Sequence, residues 1–137
     1  MVEITLLRDA HKVALTGGGE TALHSHASGG GALSYTEKMQ EITPSAVGWQ
    51  TYSLSGYGVP SNAVCEFVLS NDNVGVEYEA GIRAKGSSLE RRFDLQEAEA
   101  GGRTFVTVHV KADVNSQVEG YAENTTNVRF ILIGYWS

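Results

Sequence analysis

Two histidines one residue apart, His24 and His26, are the clearest ligand-like spacing in the chain. In an extended backbone, side chains at i and i+2 project from one face about 7 Å apart, so both imidazoles could approach one ion. A pair does not complete a site, because zinc takes three or four protein ligands and no Cys, Asp or Glu is adjacent. Three chains meeting on an axis would converge six imidazoles, a set able to hold iron or another octahedral transition metal. The plainer reading is two solvated histidines in a polar, glycine-flanked loop. His11 and His109 read as surface residues. The single cysteine, Cys65, lies in the apolar run from Val64 to Leu69 and is either a small buried hydrophobe or a nucleophile. Neither His nor Asp stands near it in sequence to favour the second.

No nucleophile-elbow sequence, phosphate-cradling glycine loop or paired cysteines are present. Acidic residues are plentiful, but Glu77 and Glu79 alternate with apolar neighbours as a solvent-facing stripe does, and sequence alone cannot set two carboxylates at a glycosidase distance. The expectation is therefore a protein without catalytic function. Trp49, Tyr52, Tyr57, Tyr121, Tyr135 and Trp136 carry the remaining chemistry. They either fill a core or a subunit contact, or line a groove and stack on sugar rings.

These residues need a scaffold, and the composition bounds it. The 137 residues, 42% of them apolar, suffice for one ordinary core. Sixteen acidic residues against ten basic ones give a net charge of -6, with the basic residues scattered singly or in pairs, which argues against a nucleic-acid partner. No apolar stretch approaches the roughly 20 residues that cross a bilayer, and the first residues resemble no signal peptide. The expectation is a protein made in a cytoplasm with no membrane partner.

Two prolines and sixteen glycines punctuate short segments rich in Val, Thr, Tyr and Phe. Strands are predicted over Trp49 to Leu54, Ala63 to Leu69, Val74 to Arg83, Arg91 to Leu95, Thr104 to Ala112, Gln117 to Ala122 and Val128 to Tyr135. Between them lie turn-forming clusters such as Ser70-Asn71-Asp72-Asn73 and Asn124-Thr125-Thr126-Asn127. Strands at this spacing without crossover helices predict an all-β antiparallel sandwich or jelly roll. In the last strand, Val128, Phe130 and Leu132 alternate with Ile131, Ile133 and Tyr135, so both faces read as apolar. Ile131, Ile133 and Tyr135 are thus candidates for a subunit interface, the alternative being cover from a loop or the N-terminal arm.

That arm spans residues 1–45, ahead of a sandwich over 46–137. After a strand-like opening from Val2 to Leu7 it carries two triple glycines, Gly17 to Gly19 and Gly29 to Gly31. Glycine loses the most entropy on ordering and buries no side chain, so such an extended, Gly-rich arm gains order only from partners.

The stretch Gly48-Trp49-Gln50-Thr51-Tyr52-Ser53-Leu54-Ser55-Gly56-Tyr57-Gly58-Val59-Pro60-Ser61-Asn62-Ala63, the segment from Ala80 to Ser88 and the ending Ile133-Gly134-Tyr135-Trp136 resemble a β-sandwich domain of tailed-phage structural proteins. The arm segment from Ala22 to Gly31 is similar to histidine-pair segments of phage tail fibres and spikes. The resemblance covers about two thirds of the chain, and its motifs are short. It implies a homotrimeric virion protein, assembled in the host cytoplasm and displayed on the particle as a short fibre, tail-tip adhesin or head decoration. It implies contact with other virion proteins through the arm and iron held by His24 and His26 on the trimer axis. Long fibres have repetitive shafts, and this chain has no repeat. A carbohydrate-binding or receptor-binding adhesin, with a cell-surface glycan as partner, is the alternative.

Overall fold

A computed structural model describes residues 32–96 and 104–137. Contacts divide the chain after Leu33, and the unit Ser34–Ser137 carries every strand among the described residues. They are β1 (Tyr35–Ile42), β2 (Gly48–Ser53), β3 (Val64–Asn71), β4 (Glu77–Ala84), β5 (Arg92–Gln96), β6 (Thr104–Lys111), β7 (Gln117–Ala122) and β8 (Val128–Trp136), with one short 3-10 turn at Ser55–Tyr57. None of the described residues forms a helix long and apolar enough to cross a membrane.

The strands make two four-stranded sheets, ordered β1-β8-β3-β6 and β2-β7-β4-β5, and every neighbouring pair is antiparallel. Only β4 and β5 follow one another within a sheet. Each other connection passes from one sheet to the other, which is the winding of an eight-stranded jelly roll. Of the two predicted architectures, the strand order selects this one.

Alternation places the core. Cys65, Phe67 and Leu69 of β3, Val108 and Val110 of β6, Val118 and Ala122 of β7, and Val128, Phe130 and Leu132 of β8 point between the sheets and are buried. Burying a side chain of this size contributes about 1.5–3 kcal/mol each, so this layer dominates stability. Tyr52 and Phe130 meet edge to face with centroids 5.5 Å apart. The opposing residue is Gly120, where a Cβ would come within 2.8 Å of Phe130 and 3.0 Å of Tyr52. Glycine is thus required there by ring packing.

One buried polar residue ties strand ends together. Asn71 is inaccessible to solvent, and its Nδ2 donates to the carbonyls of Val76 and Leu95, both at 2.7 Å. Its Oδ1 accepts from the Asn73 amide at 2.9 Å. The β6–β7 and β7–β8 turns are closed by side-chain acceptors of the Asx type. Asp113 Oδ1 takes the amides of Asn115 and Gln117, and Asn124 Oδ1 those of Thr126 and Asn127.

Three expectations change. Residues 35–42, assigned to the arm, form β1 and pair with β8 from Tyr35↔Trp136 to Ile42↔Phe130, so the 45/46 boundary does not separate arm from sandwich. The predicted strand start at Val74 gives way to Glu77, because Gly75 takes φ 73° and leaves Val74 and Val76 exposed beside it. Finally, β8 is not a plain alternating strand. Leu132 faces Phe67 and Gly134 faces Glu66, so Ile133 is an extra, bulged residue. The bulge reverses the alternation, and Tyr135 turns inward.

Candidate functional site

With the core filled, the two outer faces of the sheets present different chemistry to a partner. The face of β2-β7-β4-β5 is built from Trp49, Tyr121, Glu119, Arg83, Arg92 and Glu79, brought into register by the pairs Trp49↔Tyr121, Arg83↔Glu119 and Gly81↔Arg92. Arg83 lies over the Trp49 ring at 3.9 Å, and its Nε donates to Glu119 at 2.7 Å. Arg92 lies over Tyr121 at 4.9 Å and pairs with Glu79 at 2.8 Å and with Glu90 at 3.1 Å. Trp49 Nε1 donates to Glu90 at 3.1 Å. Stacked guanidiniums cover both rings while their N–H groups are taken up by carboxylates. The Arg83 hydrogen bond holds the Glu119 carboxyl below its ordinary range. Arg83, Arg92, Glu79, Glu90 and Glu119 are thus paired with one another across the layer.

The face of β1-β8-β3-β6 is different. Across its middle run Ile131 and Ile133 of β8 and Val64 and Val68 of β3, all only half-buried, with Val68 directly opposite Ile131. Phe105 of β6 is 64% exposed at one end. At the other end Trp136 stands between Tyr35, with ring centroids 4.6 Å apart, and His109, at 5.4 Å. Beneath them Glu66 accepts from the Tyr35 hydroxyl at 2.7 Å and lies 3.5 Å from His109 Nε2. Desolvation and the bond to Glu66 push the Tyr35 phenol up to about 12.

No family model, curated protein or solved structure matches the chain. The functional reading therefore stands on these faces.

Ile131 and Ile133 lie on the outer face, as the β8 pattern predicted. Tyr135 does not: it is 8% exposed, and its hydroxyl donates to the Gly58 carbonyl at 3.0 Å. It is removed from the interface set because the Ile133 bulge turns it into the core. His24 and His26 lie outside the described residues. Among the described residues no three His, Cys, Asp or Glu side chains gather into a metal set.

Cys65 is fully buried, and burial pushes its thiol up to about 11, the state of a packed hydrophobe. Of the six aromatic residues weighed for stacking, Tyr52 and Tyr135 are core, Tyr57 packs against it, and Trp49 and Tyr121 belong to the guanidinium-covered layer. Trp136 is the one on the open face. Sequence reasoning missed Tyr35 and Glu66 beside it and Val68 farther along the same face. The alternation of Val64, Glu66 and Val68 opposite buried Cys65, Phe67 and Leu69 was the signal that could have found the last two.

Proposed function

We propose that this chain is a non-enzymatic structural protein of a tailed-phage particle, displayed on the surface as a homotrimer and held by association of its jelly rolls. Support comes from the unequal outer faces: one closed by its own ion pairs, the other leaving Ile131, Ile133, Val64 and Val68 half-covered and Phe105 exposed. A sheet face that meets only water is normally polar, and contiguous exposed apolar surface marks interaction sites. The eight-stranded jelly roll is also an architecture of viral capsid and lectin domains, which is consistent with the reading at the level of fold alone. In this view the N-terminal arm attaches the trimer to other virion proteins, and His24 and His26 meet on its axis with iron.

A saccharide contact is the second reading, favoured by the Tyr35–Trp136 ring pair beside Glu66 and His109. The Glu66 carboxylate keeps acceptor capacity beyond its two contacts, and a ring face beside an acceptor is the arrangement that holds a pyranose. A glycan array tests it: binding above background that disappears in Trp136→Ala supports it, and signal at background rejects it. For the structural reading, an antibody against the purified protein should decorate intact particles; labelling of lysate alone rejects it.

A further inference from the structure

The open face is electrically polar across its width. Its two outermost strands are β1 and β6. On the β1 margin, Glu37 and Glu41 are exposed. Lys38, between them, lies by the ring of the inward-turned Tyr135 at 5.7 Å, on the other side of the sheet. On the β6 margin, His109 and Lys111 are exposed, and both terminal nitrogens of Arg91 approach the His109 carbonyl at 3.4 Å. Arg91 is thereby held along the free edge of β6. Three basic side chains at one margin stand out in a chain whose net charge is -6.

The charges inside the face are already committed. Arg129 pairs with Glu41 at 3.2 Å and lies 3.9 Å from Asp72, while Glu66 takes Tyr35 and His109. Glu37, Arg91 and Lys111 enter none of the ion pairs among the described residues. An acid margin and a basic margin thus flank an apolar strip, with Glu37 on the first and Arg91 and Lys111 on the second outside these ion pairs.

Resting on the self-association reading above, we infer that copies of this chain dock head to tail, the Glu37/Glu41 margin of one against the Arg91/His109/Lys111 margin of the next. The apolar strip of β8 and β3 turns toward the common axis. A contact between two different patches is heterologous and closes into a ring when its rotation allows, three copies being the smallest such ring. Opposed charge at the margins sets register and suppresses the reversed, like-charged approach. Glu37 and Lys111 supply the uncommitted charges, so the contact weakens as salt screens them.

The test is charge reversal with complementation, read by sedimentation on the full chain, with circular dichroism to confirm folding. Glu37→Lys with Glu41→Lys makes both margins basic; Arg91→Glu with Lys111→Glu makes both acidic. Each variant alone should associate at least tenfold more weakly than wild type. Mixed, the two should associate again. Alternating copies satisfy every contact only in even-numbered rings, so the mixture should recover as even assemblies in place of trimers. Wild-type assembly with both reversed variants associating as tightly as wild type overturns the head-to-tail polarity and leaves self-association standing. A wild type that stays monomeric throughout overturns the reading beneath it.

Discussion

Trp49 and Trp136 occupy equivalent situations, each on the outer surface of a sheet with a tyrosine beside it, yet their surroundings diverge. Around Trp49, two arginines lie on the aromatic rings and three glutamates take their N–H groups, so the layer is finished by its own chain. Around Trp136 stand Tyr35, His109 and Glu66, with no guanidinium of the described residues stacked on the ring, and farther along the same face Ile133, Ile131 and Val68 are only half-covered. A long arginine stem covers apolar surface and its head satisfies carboxylates at once, which is how one face of a sandwich meets water without a partner. On the other face Arg129 pairs with Glu41 in the same way, yet Ile131, Ile133, Val64 and Val68 stay only half-buried. The difference teaches where a partner would gain most: Ile131, Ile133, Val64 and Val68 lie together on one face, each still partly exposed.

The comparison presumes one shared core. Phe130→Ala removes a ring that packs against Tyr52 and Gly120 beneath both sheets and should cost about 4 kcal/mol in denaturant unfolding. Loss of less than about 1 kcal/mol would mean that the sheets do not depend on a common interior. On the closed face, Arg83→Ala strips a stacked guanidinium and its short bond to Glu119. It should cost about 2 kcal/mol while leaving association unchanged. On the open face the pattern should invert. Ile131→Lys should change monomer stability by no more than about 1 kcal/mol yet weaken association at least tenfold.

How much of this was legible beforehand follows from where each strand sits. β6 and β7 were readable because inward Val106, Val108, Val110 and Val118 alternate with polar residues, and a half-buried strand has no other way to satisfy both sides. β1 was not, because an outermost strand buries little: in Tyr35–Ile42 only Ile42 is fully covered, and the segment reads as polar. Tyr135 was misplaced because strict alternation was carried through Ile133. Gly134, a glycine inside an apolar strand, is the kind of residue that marks a bulge. The Trp49–Arg83–Glu119 layer was illegible for another reason. Its members stand on three different strands, and only sheet register brings them together.

A smaller effect sharpens the closed face further. Because Arg83 depresses the Glu119 carboxyl, folding gains stability that is complete above the ordinary glutamate range and fades as pH falls through the lowered value. Glu119→Gln should therefore narrow its deficit against wild type on acidification, as measured by unfolding across that range. A deficit independent of pH would show that the carboxylate charge contributes nothing.

The central claim, that the face of β1-β8-β3-β6 is covered by other copies of the chain, is tested most directly by sedimentation equilibrium of the full-length protein beside Ile131→Lys. The account predicts a trimer for wild type at micromolar concentration and a folded monomer for the variant. A wild type that remains monomeric at every concentration reached, with native circular dichroism, would contradict it.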